Sequence, residues 1–143
     1  MLVNEILRIK GSTTLFTTTP QGTVRDSVAV MADNDIGSQI VMDHGKVVGM
    51  LTFREVLAVI DRQDGMLGEV RVSEVMDASP FIADPQMEVM TLRGRMLELH
   101  ARYVPVVENG TLLGVVSFHD VAKAVYEEQK FENTMLKDYI AAA

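Results

Sequence analysis

Two short stretches carry the side chains best placed to do chemistry: Thr52-Phe53-Arg54-Glu55 and Ser117-Phe118-His119-Asp120. Each sets a hydroxyl three residues before a carboxylate, with an arginine or a histidine between them. A carboxylate can accept hydrogen bonds from both hydroxyls of a ribose diol, a bidentate match that few other groups offer. A hydroxyl beside the free amides of a helix N-terminus makes a phosphate site. The same spacing is also a capping box, in which the two side chains satisfy the helix's own orphan amides. Both readings hold for either stretch, because a capping residue can also face a ligand.

Other chemistry finds little support. There is no Ser/His/Asp arrangement, and the phosphate loop Gly-x-x-x-x-Gly-Lys-Ser/Thr is absent. His44, His100 and His119 do not share a metal-ligand spacing, and the chain has no cysteine for a disulfide or a thiolate site. The expectation is a protein that is not an enzyme and holds no metal. Methionines such as Met31, Met87, Met90 and Met96 read as gap-filling core residues, and Arg93 and Arg95 as solvated helix surface. With 13 basic residues against 20 acidic ones, a net charge of −7, the chain lacks the basic face that nucleic acid requires. A few backbone amides and one or two local cations can still hold a single phosphate group. The start, MLVNEILRIKG, meets Glu5 and Arg8 before an apolar stretch can form, so neither a signal peptide nor a membrane span is expected, and the location is read as cytoplasmic.

The elements that position these stretches come in duplicate. Shifting the chain by 65 residues lays 20–60 on 85–125 without a gap. Pro20, Gln21, Val24, Met31, Val41, Gly45, Gly49, Phe53 and Val56 then meet identical residues, nine in all, concentrated at turns and core positions. Upstream, one inserted residue aligns Arg8-Ile9-Lys10 with Glu74-Val75-Met76. Each copy reads as a short strand (Leu15–Thr18; Phe81–Ala83), a helix (22–34; 87–100), two strands (Gln39–Met42 with Val47–Leu51; Val104–Val107 with Leu112–Val116) and a second helix from Phe53 or Phe118. The hairpin turns end in Gly45 and Gly110, where a positive φ is needed. Residues 1–62 form the first copy, 63–71 a linker, 72–126 the second copy and 127–143 a helical extension. The fold class is α/β (α+β), two βαββα units. The hairpin strands are apolar at nearly every position, so both sheet faces need cover, and the two copies are expected to pack sheet to sheet about a pseudo-twofold axis. That leaves two clefts between them, where small ligands usually sit.

The duplicated pattern resembles a tandem pair of CBS domains, the cystathionine-β-synthase-type regulatory modules. The resemblance spans about residues 6–125. It is clearest in Val104-Pro105-Val106-Val107-Glu108 and Gly114-Val115-Val116-Ser117-Phe118-His119-Asp120-Val121. The first copy departs from the pattern with Ile40 in place of proline and Glu55 in place of aspartate. The resemblance implies a non-catalytic module that dimerises and binds an adenosine-containing ligand, AMP above all, with ADP, ATP or NAD as the others. It places Thr52 with Glu55, and Ser117 with Asp120, on phosphate or ribose. Arg54 and His119 would then stand near phosphate, Gly37-Ser38 and Arg102-Tyr103 along the clefts, and the loops around Thr13 and Ala78 over the base. Glu55 is one methylene longer than aspartate, so the second copy is expected to hold ribose better. A ligand-free dimerisation or scaffold module is the competing reading. In either case the output is expected to pass to a separate effector protein. The apolar pattern continues through Val121, Val125, Phe131, Met135, Leu136, Tyr139 and Ile140. Past Glu128 that helix is expected to pack on a second subunit, the alternative being that it folds back on its own chain.

Overall fold

Alternating apolar strands and amphipathic helices settle into two half-sized α/β units in the computed structural model, which describes residues 1–11 and 14–142. The first comprises β1 (Thr17–Thr18), α2 (Val24–Asn34), β2 (Ser38–Asp43), β3 (Lys46–Thr52) and α3 (Phe53–Arg62). The second comprises α5 (Val89–Leu99), β4 (Tyr103–Glu108), β5 (Thr111–Ser117) and α6 (Phe118–Ala142). Two further helices, α1 (Val3–Lys10) and α4 (Val72–Val75), precede the two units in the chain.

Local chemistry explains the boundaries. Thr23 caps α2 by accepting from the Asp26 amide at 3.2 Å, and the helix stops at Asp35 in a left-handed conformation. In the hairpins, His44-Gly45 and Asn109-Gly110 all take positive φ, as a two-residue turn matching strand twist requires. Both hairpins shift register at the same place, between Val41 and Met42 and between Val106 and Val107. The duplication therefore extends to an irregularity. The first sheet runs β1-β2-β3, with β1 parallel to β2. In the second unit the strand anticipated at Phe81–Ala83 shrinks to one parallel bridge, Ala83 to Val106, because Ala83 alone bonds Pro105 and Val107 on its neighbour.

The two lead-in helices change places. α1 docks on the second unit, where Val3 and Ile6 join Val89, Leu92, Met96, Val104 and Val116 in one buried cluster. The Val3 amide donates to Met87 O at 2.8 Å and Asn4 to Pro85 O at 2.9 Å. α4 docks likewise on the first unit, with Val72 among Val24, Met31, Val41 and Leu51. Its bonds are the matching pair, Val72 to Gly22 O and Ser73 to Pro20 O. A third cluster, around Ile40, Met50 and Leu112, joins the two sheets face to face. The anticipated sheet-to-sheet packing is therefore present, with helices exchanged across it.

These docking bonds also correct the upstream alignment. Val3 is the counterpart of Val72, and Leu7 that of Met76: Leu7 crowds Gly114 as Met76 crowds Gly49. Sequence matching alone had placed Met76 opposite Lys10. The true offset of α1 is 69 residues against 65 for the rest, so the first copy carries four extra residues before Phe16. They lengthen α1 to eight residues, where α4 has four.

α6 runs 25 residues, roughly 37 Å. Val121 and Ala124 are buried in the second core, whereas every described residue from Gln129 onward is exposed. The extension does not fold back on its own chain.

Since Ile6 is 2% exposed and sits in the other unit's core, Ile6→Ala is expected to cost about 2–5 kcal/mol in urea unfolding. A loss below about 1 kcal/mol would show that α1 is a dispensable appendage.

Candidate functional site

Each unit ends its last strand on a hydroxyl residue, and that residue opens the helix beneath a cleft between the units. At the first such junction, Glu55 Oε1 accepts from both the Thr52 amide, at 2.8 Å, and the Thr52 hydroxyl, at 2.9 Å, while Thr52 Oγ1 accepts from the Arg54 amide. The capping box is closed, and the Thr52 proton is spent within it. The surrounding cleft, about 200 Å³, is lined by Met50, Thr52–Glu55, Asp77, Ser79–Phe81, Leu99 and Ala101–Tyr103. Large side chains occupy it. Phe53 and Tyr103 meet edge to face with ring centroids 6.1 Å apart, the Arg102 guanidinium lies 5.3 Å over Phe53, and Arg54 donates to His100 O at 2.7 Å.

The second cleft is larger, about 530 Å³, within the range of small-molecule sites. Its walls include Thr14–Phe16, Asn34–Ser38, Tyr103, Gly114, Val115, Ser117, His119 and Asp120. The pseudo-symmetry explains the difference in size. Where the small cleft has Arg102 and Tyr103, the large one has Gly37 and Ser38. Tyr103 packs directly against Gly37, where a Cβ would meet its hydroxyl and ring. Tyr103 thus fills the small cleft from one side and forms a wall of the large one.

Asp120 is the centre of charge in the large cleft. Its Oδ2 accepts from the Ser117 amide at 2.8 Å, and its own amide donates to Ser117 Oγ at 3.0 Å, so this junction too is capped. Lys10 Nζ lies 2.9 Å from the same Oδ2 and donates to Val115 O at 2.8 Å. Partial burial disfavours the Asp120 carboxylate, but the Lys10 ammonium and the Ser117 amide outweigh it and hold the group below its ordinary 3.8. Asp120 is therefore a fixed anion at neutral pH. Its Oδ1 has no partner among the described residues and remains an open acceptor.

Most of the residues singled out from sequence assemble as two sets. Thr52, Arg54, Glu55, Arg102 and Tyr103 line the small cleft, and Gly37, Ser38, Ser117, His119 and Asp120 the large one, with Tyr103 shared. Ala78 is exposed between the lining residues Asp77 and Ser79, and is not itself part of the wall. Thr13 lies outside the described residues. Lys10 escaped sequence reasoning. The signal was the four-residue excess in the first copy, which a one-residue gap had hidden. Among the described residues no three His, Asp or Glu side chains cluster as metal ligands, and no helix is long and apolar enough to cross a membrane.

Comparison with known proteins agrees with this architecture. The CBS-domain sequence profile matches residues 5–62 and again 72–127. A CBS-domain protein from Burkholderia ambifaria MC40-6 superposes with a TM-score of 0.83 at 28% identity, covering 90% of this chain and 96% of that one. The CBS domain pair of protein MJ0100, solved with 5′-methylthioadenosine and S-adenosyl-L-methionine, gives 0.78 at 20% identity over 90% and 98% of the two chains. CBSX2, solved with AMP, gives 0.70 at 21% identity over 80% and 90%. At those lower identities the likeness is one of fold. Two matches of the profile, on two units that share one seam, establish that this chain belongs to the CBS-domain family as a tandem pair.

Proposed function

We propose that the chain is a non-catalytic regulatory module that takes one adenosine-containing ligand in the larger cleft, beside Asp120. The observation that carries this reading is an anion held in place by Lys10 and Ser117, its Oδ1 unpartnered among the described residues, in the wall of a cavity of about 530 Å³. An acceptor of that kind suits a ribose diol, and a cavity of this size suits the rest of a nucleoside. The fold neighbours solved with AMP and with adenosyl compounds support the same ligand class. AMP is the ligand this reading favours, with ADP, ATP and NAD sharing its adenosine half. The small cleft suits a nucleotide less well, because Phe53, Arg102 and Tyr103 fill it. The ligand would act by favouring one arrangement of the two units, which a separate effector protein reads. The ligand-free scaffold reading rests on Glu55, which takes up the Thr52 hydroxyl as well as its amide in the small cleft.

AMP at one hundred times its dissociation constant should add about 2.7 kcal/mol to stability, read as a thermal shift of several degrees. Asp120→Ala should abolish the shift while still folding cooperatively. No shift with AMP, ADP, ATP, NAD or S-adenosylmethionine would favour the scaffold reading.

We also infer that the molecule is a homodimer whose subunits meet along the end of α6. Phe131, Met135, Leu136, Tyr139 and Ile140 are 57–75% exposed there, and Phe131, Met135 and Tyr139 continue the helical phase of the buried Val121 and Ala124. Light scattering should give a dimer for the whole chain and a monomer after removal of residues 129–143. A dimer in both would place the interface elsewhere.

A further inference from the structure

The extra turn of α1 brings a cation into one cleft and not the other. In the small cleft, the carbonyl of Met50 is taken by the backbone amide of Asp77 at 2.9 Å, as the chain leaves α4 in an extended bridge. In the large cleft the corresponding carbonyl belongs to Val115, and it is taken by the Lys10 ammonium at 2.8 Å. A side chain has replaced a backbone bridge. An ammonium has three donors, and two are engaged, on Val115 O and Asp120 Oδ2. The third has no partner among the described residues, and the Lys10 side chain is 33% exposed at the border of this cleft and a smaller neighbouring one. Among the described residues Lys10 is the only lysine or arginine lining this cavity, whose other charged or ionisable walls are Asp35, Tyr103, His119 and Asp120.

We propose that Lys10 is a specificity-determining residue that selects ligands bearing an anionic group next to the sugar, nucleoside phosphates over uncharged nucleosides. This rests on the adenosyl reading of the same cleft. The free oxygen of Asp120 accepts the diol, and the free donor of Lys10, held against the other oxygen of that carboxylate, meets the phosphate. Without Lys10, Asp35 and Asp120 would give the cleft no reason to prefer an anion. The anchoring of Lys10 also fixes its position before the ligand arrives, so little side-chain entropy is lost on binding.

The test is calorimetric titration of the whole chain and its Lys10→Gln and Lys10→Arg variants with AMP and with adenosine, which share base and ribose. The wild type should bind AMP at least about tenfold more tightly, as a charge-assisted hydrogen bond provides. Lys10→Gln should lose about tenfold for AMP and less than about twofold for adenosine, and Lys10→Arg should restore the preference. Should Lys10→Gln fail to fold, added salt should shrink the wild-type preference for AMP while leaving adenosine binding unchanged. Equal loss for both ligands in Lys10→Gln would assign Lys10 a structural role, and tighter binding would make it a plug that the ligand displaces; either result overturns the proposal. Equal wild-type affinities would overturn it while sparing the adenosyl reading, and binding of neither ligand would overturn both.

Discussion

The two hairpins are apolar on both faces, and no single copy can cover them. Helices α2 and α3, or α5 and α6, shield one face of each sheet. The other face must meet its counterpart, and Ile40, Met50 and Leu112 form that seam. Each copy also leaves a gap in its helical layer, which the lead-in helix of the other copy fills through Val3 and Ile6 or through Val72. Sheet seam and exchanged helices bind the copies into one body. The clefts exist because the seam occupies only the middle of the interface. Where β3 and β5 lead into α3 and α6, polar side chains line the two clefts.

Duplication gives two clefts, and sequence divergence makes them unequal. At one pair of related positions the chain has Gly37-Ser38, at the other Arg102-Tyr103, and the volumes differ accordingly, about 530 against about 200 Å³. At another pair it has Asp120 and Glu55. Each carboxylate uses one oxygen for its cap: Glu55 Oε1 takes both the amide and the hydroxyl of Thr52, while Asp120 Oδ2 takes the Ser117 amide and the Lys10 ammonium. The third difference is the extra helical turn that carries Lys10. Helix capping is common to both junctions, so capping and ligand binding are distinguished by what remains open after the cap is made.

Much of this was legible in the sequence. The 65-residue repeat fixed the hairpins, because glycine turns and alternating apolar residues are local signals that tertiary packing reinforces. α3 spans Phe53 to Arg62 as its apolar spacing indicates. The lead-in segments were harder. An eight-residue and a four-residue helix with little shared sequence give no alignment of their own, and only their docking bonds on Met87, Pro85, Gly22 and Pro20 reveal the offset. Which copy each helix covers is likewise a tertiary fact, invisible to periodicity. The bridge at Ala83 fell short of a strand because only that residue reaches β4. Of the site, the capped junctions and the lining pairs were readable from the repeat, whereas Lys10 meets Asp120 across 110 positions in the chain.

A module of this design passes on a signal only where ligand binding separates two arrangements of its units, and binding in the larger cleft alone would tie that response to one occupancy per chain. The most direct measurement is the number of sites. Calorimetric titration of the purified chain with AMP should saturate at one molecule per chain. Two equivalent sites per chain would contradict the asymmetry on which this account rests, and no site at all would contradict the account itself.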